Sequence, residues 1–390
     1  MMDEWTIKSA LEWTEGYLAE KGDESPRVSA QWLLSEATGL SRTHLFMSYD
    51  QPLSADERAT LRDYVRRRGA GEPLQYITGE VTFRHIPVKV RPGVLIPRPE
   101  TEVLVSEVLA ALPAAGKREA CWNEEAAAQE SEAVEALKEA VAAAQEALAE
   151  NQRAAQESPE AQGIQDASAL QGLGEASGVE GGVSAEGSAA QSDSVAEGEA
   201  GGAGDSSAAP APEVPRPLLV ADLCTGSGCI ACSLAYEHPE VRVIATDIAP
   251  EAVALARENV EALGLGDRVA VLECSLGAGI GEKRMGTFDA VVSNPPYVPT
   301  AVLAEIPREV ADHEPALALD GGADGLAVFL PLCEWAARAL RPDGVLACEL
   351  YEGHLDAAAA IAQAHGFESI RIVNDLTNRP RILTARKPAL

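Results

Sequence analysis

The sequence predicts an α/β fold: a mostly parallel sheet with helices on both faces, preceded by a small helical domain and interrupted by a long acidic insertion. Three observations carry this expectation. Residues 217–390 alternate β-branched runs with helical patterns, the rhythm of a parallel sheet connected by helices. Residues 5–71 carry apolar side chains at three- and four-residue spacing. The stretch between about Ala114 and Pro215 is dominated by Ala, Glu, Gly, Ser and Gln, a composition that buries too little apolar surface to offset chain entropy. The divisions expected are a helical domain at 1–75, a hairpin linker at 76–98, the first helix of the main domain at 99–113, the insertion at 114–215 and the rest of the main domain at 216–390.

In the helical domain, Ile7, Leu11, Tyr17 and Leu18 mark one amphipathic helix and Ala30, Leu33, Leu34 and Ala37 a second. Ser54 and Glu57 have the spacing of a capping box, and Arg66, Arg67 and Arg68 place cations at that helix's negative end. Gln75–Thr78, Val81–Phe83 and Val88–Val90 are β-branched or aromatic and read as a short hairpin. Pro99, Glu100 and Glu102 suit a helix start, and Val103, Leu104, Val108 and Leu109 supply its buried face to about Pro113. Within the insertion, residues 117–213 hold 20 acidic and 4 basic residues, about half of the formal net charge of −30. Val134, Leu137, Val141, Ala144 and Leu148 suggest a marginal solvated helix there, and disorder is expected over 163–204. Strands follow at 218–223, 241–247, 269–272, 290–293, 345–349, 370–373 and 381–385, the last two close enough for an antiparallel hairpin.

A net charge of −30 argues against binding a phosphate backbone directly and permits a basic protein partner. Met1-Met2-Asp3-Glu4-Trp5 lacks the basic and apolar regions of a signal peptide, and no apolar run is long enough to span a membrane. Seven cysteines suit free thiols in a reducing cytoplasm. Cys229 and Cys232 have C-x-x-C spacing, but no second pair follows, so they read as helix packing and no metal is expected.

The buried-strand run Leu219–Leu223 leads into Cys224-Thr225-Gly226-Ser227-Gly228 and then a helix. Small residues there let a ligand approach main-chain N–H groups, and parallel sheets bind ligands at the carboxyl ends of their strands. The next strand ends in Asp247, placed to accept hydrogen bonds from ribose hydroxyls, so turn and acid together suggest a nucleoside cofactor. No G-x-x-x-x-G-K-[ST] pattern is present to cradle a triphosphate. After the fourth strand comes Asn294-Pro295-Pro296-Tyr297. A planar amino nitrogen is a poor nucleophile because its lone pair is delocalised; a site that alkylates it must accept its N–H bonds and aim it. The Asn294 side-chain oxygen and the Pro295 carbonyl are suitable acceptors, the successive prolines fix that carbonyl, and Tyr297 offers a flat face.

Asp222–Gly228 resembles the first motif of class I S-adenosylmethionine methyltransferases, with Cys224 where those usually have Gly, and Asn294–Tyr297 resembles the motif of those acting on exocyclic amino or glutamine amide groups. With Gly71-Glu72-Pro73-Leu74-Gln75-Tyr76-Ile77 and Leu95-Ile96-Pro97-Arg98-Pro99-Glu100-Thr101-Glu102, the chain is similar to the peptide chain release factor glutamine N5-methyltransferases everywhere outside the insertion. The resemblance implies a Rossmann-like class I methyltransferase sheet, S-adenosylmethionine as cofactor with S-adenosylhomocysteine as product, and the Gly-Gly-Gln glutamine of class I release factors as acceptor, gripped in part by the helical domain. It implies that Cys224, Thr225, Gly226, Ser227, Gly228 and Asp247 hold the cofactor, with Ser275 and Leu276 beside adenine. Asn294 would face both cofactor and acceptor, and Asn294, Pro295, Pro296 and Tyr297 would bind the glutamine amide. Ser275 stands where the family often has Asp, leaving Cys274 as an alternative contact. Arg98 and Glu100 lie in a family motif without an assigned role, and Glu314, in His313–Leu317, either orients a neighbour or is a surface carboxylate. Other readings are glutamine methylation of a ribosomal protein, adenine N6-methylation of nucleic acid, and a binding module that has lost its cofactor through Cys224 and Ser275.

Overall fold

Helix caps begin the chain's order, and the computed structural model describes residues 5–114 and 216–389. Thr6 accepts the Ser9 main-chain N–H while Ser9 reaches back, starting α1 (Ile7–Glu20). Pro26 opens α2 (Pro26–Thr38), and Gly39, at φ 68°, closes it. A short α3 (Arg42–Met47) leads to α4 (Ala55–Gly69), which starts on the expected capping box, with Glu57 Oε2 accepting the Ser54 N–H at 2.7 Å, and ends on the three arginines. Ile7, Leu11, Leu18, Ala30, Leu33 and Leu34 share one buried core, with Tyr17 and Ala37 at its margin.

Gln75–Thr78, expected as a strand, is instead part of α5 (Leu74–Thr78), so the division at 75/76 falls inside a helix. The neighbouring residues Tyr76 and Ile77 are both buried, which the alternation of a half-buried strand would not allow. Thr78 donates its hydroxyl to the Leu74 carbonyl, and Gly79 ends the turn at φ 78°. The hairpin proper is β1 (Glu80–Phe83) against β2 (Ile86–Lys89). The next helix, α6 (Thr101–Ala111), starts two residues after Pro99, because the Arg98, Pro99 and Glu100 carbonyls are taken by tight i-to-i+3 turns. Of its expected face, Leu104 and Val108 are fully buried and Val103 and Leu109 partly so.

Seven strands form the main sheet: β3 (Leu218–Leu223), β4 (Val241–Asp247), β5 (Val269–Glu273), β6 (Phe288–Ser293), β7 (Leu340–Glu349), β8 (Glu368–Asn374) and β9 (Pro380–Arg386). Their order is β5-β4-β3-β6-β7-β9-β8. The first five are parallel, and β9 runs antiparallel to both β7 and β8. The terminal hairpin is therefore present, and its second strand, rather than its first, pairs with β7, leaving β8 at the sheet edge. Side chains alternate between two cores: Val220, Ala290, Val292, Val345 and Ala347 face α6, α7 (Cys229–Glu237), α8 (Pro250–Ala262) and the β1–β2 hairpin. Ala221, Val291, Leu346 and Cys348 face α10 (Phe329–Ala339) and α11 (Leu355–Ala364). A short α9 (Arg308–Ala311) sits in the connection after β6. Cys229 and Cys232 are buried in the first of these cores, as packing residues.

The helical domain and the sheet lie in one contact unit. Arg68 of α4 joins them, pairing with Asp23 at 2.7 Å and with Glu309 of α9 at 2.9 Å. The two flanks of the insertion are tied to the sheet domain. The Pro113 carbonyl accepts from His238 Nε2 at 2.9 Å, and Arg216 forks onto Asp289 at 2.7 and 2.9 Å. The helix suggested at 134–148 and the disorder suggested at 163–204 lie outside the described residues.

Candidate active site

The strand order reverses between β3 and β6: from β3 the chain builds outward through β4 and β5, then returns to add β6 and β7 on the other side. The carboxyl ends of the strands flanking such a switch leave a crevice. Here it is a cavity of about 460 Å³ that holds Cys224, Thr225, Gly226, Ser227, Asp247, Ser275, Leu276, Asn294 and Pro296 in its lining. Gly228, Pro295 and Tyr297 do not line it, and neither does Cys274, whose thiol donates to the Leu276 carbonyl at 3.3 Å.

Asp222 holds the loop after β3 in shape. It is fully buried, and its Oδ2 accepts the Thr225 hydroxyl at 2.6 Å and the Ala231 N–H at 3.1 Å. Burial, with the nearby Asp247 charge adding to it, pushes its carboxyl up to about 7 against those two donors. The loop is also stitched to the neighbouring strand: Thr225 N–H reaches the Thr246 carbonyl at 2.9 Å, and Gly226 N–H reaches Asp247 Oδ2 at 2.8 Å. Gly228 serves packing instead. At φ 80° it lets α7 approach α8, where a Cβ would sit 3.1 Å from that of Ala256. Cys224 adopts φ 59°, so the Cys-for-Gly difference does not keep an ordinary backbone; the left-handed conformation is retained with a side chain on it. Leu276, also in the lining, is at φ 48°, so two of the six non-glycine residues with positive φ among the described residues line this one cavity. Burial pushes the Cys224 thiol up to about 12, which favours its neutral form.

Asp247 keeps capacity for a ligand. Its oxygens take main-chain N–H groups from Gly226 at 2.8 Å, Ala249 at 3.0 Å and Ile248, out of about four lone-pair sites, so acceptor capacity remains. Beside it Ile248 is 56% exposed, and with Val94, Ile96 and Leu276 it gives the cavity apolar walls. The acid and the apolar walls together fit a nucleoside. Sequence reasoning passed over Ile248, although an apolar residue directly after a strand-terminal acid was a usable signal.

The segment after β6 is braced from three sides. Ser293 donates to the Leu223 carbonyl at 2.6 Å, and Val298 and Thr300 bond to Leu319 and Gly322. Asn294 Nδ2 donates to Thr101 Oγ1 at 3.1 Å, and Thr101 Oγ1 donates to Glu349 Oε2 at 2.7 Å. Glu349 Oε1 accepts the Tyr297 hydroxyl at 2.9 Å. Tyr297 is therefore tied through its hydroxyl end, a use its flat face did not suggest. Burial raises the Glu349 carboxyl above its usual range, opposed by both hydroxyls and by Arg381. Neither Thr101 nor Glu349 had been singled out in the sequence as a site residue. Glu349 at the carboxyl end of a parallel strand was a legible position; Thr101, inside a proline-rich motif, offered no such sign.

Glu314 orients a neighbour: it is 6% exposed and takes Arg98 Nη2 at 2.7 Å on both oxygens. This fixes Arg98, which lines the cavity, beside Pro315 and Leu317. Glu100 stands at the N-cap of α6 and adds a repulsive charge near Glu349. Among the described residues no cluster of three or more His, Cys, Asp or Glu could hold a metal ion, and no helix is long and apolar enough to cross a membrane.

Comparison with known proteins bears on this arrangement. Residues 9–79 match the PrmC N-terminal domain and residues 213–310 the methyltransferase small domain. A release factor glutamine methyltransferase of Geobacter sulfurreducens is 32% identical over 382 residues, covering 98% of this chain and 97% of that protein. Proteins of the same description from Moorella thermoacetica and Caulobacter vibrioides are 31% and 30% identical. Those matches cover 97% and 99% of this chain and 98% of each relative.

Proposed function

The chain belongs to the release factor glutamine methyltransferases, and from that premise we propose that it methylates the side-chain amide nitrogen of the Gly-Gly-Gln glutamine in class I peptide chain release factors, in the cytoplasm. The observation that carries this reading is the open acceptor at Asn294. Its Nδ2 is engaged by Thr101, and among the described residues nothing donates to its Oδ1. An oxygen held in that state at the rim of a nucleoside-type cavity is what an incoming amide N–H requires.

S-adenosylmethionine supplies an electrophilic methyl on a sulfonium and leaves as S-adenosylhomocysteine. The residues around it do the rest. Cys224–Ser227 would surround its methionine part, Asp247 its ribose hydroxyls, and Ser275 and Leu276 its base. Asn294 Oδ1 and the Pro295 carbonyl would accept the two amide N–H bonds, drawing electron density onto the nitrogen and favouring its pyramidal form as the new N–C bond appears. One of those N–H protons is released to solvent as the bond completes. Pro296 keeps the Pro295 carbonyl directed, since a proline after it removes main-chain freedom. The neutral Cys224 thiol avoids becoming a competing acceptor for the methyl.

Mass spectrometry of a class I release factor incubated with the protein and S-adenosylmethionine tests the assignment. A gain of one methyl on the Gly-Gly-Gln glutamine is expected. Asn294→Ala is expected to lose about a hundredfold in rate, the scale of one lost transition-state contact, while titration calorimetry finds cofactor binding retained. Near-normal turnover by that variant would sink the acceptor assignment.

A further inference from the structure

The hydrogen bonds around Asn294 have a fixed direction that begins at Glu349. Arg381 opposes the effect of burial and favours the carboxylate form of Glu349, which only accepts, so the Thr101 hydroxyl at 2.7 Å and the Tyr297 hydroxyl at 2.9 Å both donate to it. A hydroxyl has one proton. Once Thr101 has given it to Glu349, Thr101 Oγ1 has only lone pairs left for Asn294, 3.1 Å away. The side of the Asn294 amide facing Thr101 must then be its NH2, and its oxygen must point the other way. Reversed, the amide would set two acceptors, Asn294 Oδ1 and Thr101 Oγ1, against each other. Thr101 is 2% exposed and Glu349 1% exposed, so water has little access to rescue such a contact.

We propose that Thr101 and Glu349 are positioning residues that set the orientation of the Asn294 amide, so that its oxygen rather than its NH2 group meets the substrate amide. This rests on the glutamine-methylation reading and deepens it. Asn and substrate amide are alike in shape but opposite in polarity across their two ends. A site that left Asn294 free to turn would present a donor to a donor in one of its two orientations. The Glu349 carboxylate also holds Tyr297 by its hydroxyl, so one buried acid organises two members of the Asn294–Tyr297 segment. The arrangement spans the fold: Thr101 starts α6, Asn294 follows β6 and Glu349 ends β7.

Thr101→Val and Thr101→Ser separate this role from packing. Valine keeps the shape and removes the hydroxyl, whereas serine keeps the hydroxyl and removes a methyl. The orientation role is expected to lower kcat on a release factor by about ten- to a hundredfold in Thr101→Val, as for an unsatisfied buried polar group. KM for the release factor, spread over a protein-sized contact, and the calorimetric Kd for S-adenosylmethionine are expected to stay within about twofold of wild type. Thr101→Ser is expected to retain most of the rate. Glu349→Met, which accepts from neither hydroxyl and so frees the Thr101 proton for the Asn294 oxygen, is expected to follow Thr101→Val in kcat. A Thr101→Val enzyme at wild-type rate, or a Thr101→Ser enzyme as slow as Thr101→Val, overturns the proposal while the wild-type methylation assay still stands. A wild-type protein that leaves the release factor unmethylated removes the glutamine reading and this inference with it.

Discussion

At Asp222 the fold holds a carboxyl group against its own preference for charge. Burial lifts it to about 7 from a usual value of 3.8, the Asp247 charge adds to the lift, and its Oδ1 meets no donor among the described residues. Unfolded, the group ionises near its usual value; folded, it ionises only near 7. Above about 4 the unfolded chain therefore gains charge stabilisation that the folded chain lacks, and stability falls as pH rises from about 4 to about 7, then levels. Asp222→Asn keeps an oxygen for Thr225 and Ala231 and removes the titration. The melting temperature of Asp222→Asn relative to wild type is expected to be more favourable at pH 8 than at pH 5. A difference independent of pH would mean that the carboxyl titrates alike in both states. The same burial leaves the Cys224 thiol neutral, so the first turn of the site holds two groups whose ordinary reactivity is suppressed by desolvation.

Among the elements, the connection carrying Asn294–Tyr297 depends on a loop that arrives later in the chain. Val298 and Gly321 exchange main-chain bonds with 319 and 298, and Gly325 packs directly on the Tyr297 carbonyl. Gly325 sits at φ 69°, and a Cβ there would lie 2.5 Å from Tyr297 O, so two constraints meet at one residue. Gly325→Ala must push the Tyr297 main chain aside, which moves the acceptor segment against its brace. Methylation rate is expected to drop by at least about tenfold, on the scale of a small misplacement of a reacting group, with cofactor affinity retained by the β3 loop and Asp247. Equal rates for the variant and wild type would show that the segment tolerates displacement there. The β3 loop itself was readable because its pattern is local: a buried run, small residues, a helix and an acid on the next strand. The strand reading of Gln75–Thr78 failed because β-branched and aromatic residues also suit a single helical turn, and only the neighbours of Tyr76 and Ile77 distinguish the two.

For the whole molecule, both flanks of the insertion are fastened to the sheet domain. His238 holds the Pro113 carbonyl and Asp289 holds Arg216, the latter in a cluster with Arg341 that keeps the Asp289 carboxyl below its usual range despite its burial. Neither tie lies at the carboxyl edge where the cavity opens. Replacing residues 116–213 by a short Gly-Ser linker is expected to leave release factor methylation within about threefold of wild type, since loop closure changes slowly with length. A protein that folds by circular dichroism but has lost turnover would assign the insertion a part in activity. The charge left outside the insertion is still negative by about 14, so the acidity that disfavours nucleic acid belongs to the described fold as well.

By itself the sequence determined the alternation of strands and helices, the cofactor-type turn and acid, and the Asn294–Tyr297 segment, because each is written in residues close together along the chain. Burial periodicity and turn chemistry act over a few residues, and those signals survive without a fold. Only the tertiary structure decided that Gly228 packs while Cys224 bends, that β9 rather than β8 pairs with β7, and that Glu314 fixes Arg98. It alone brought Thr101 to Glu349 across 248 residues of chain and so gave the Asn294 amide a direction. Hydrogen-bond polarity is a property of neighbours in space, and no spacing in the sequence encodes which end of an amide faces its partner.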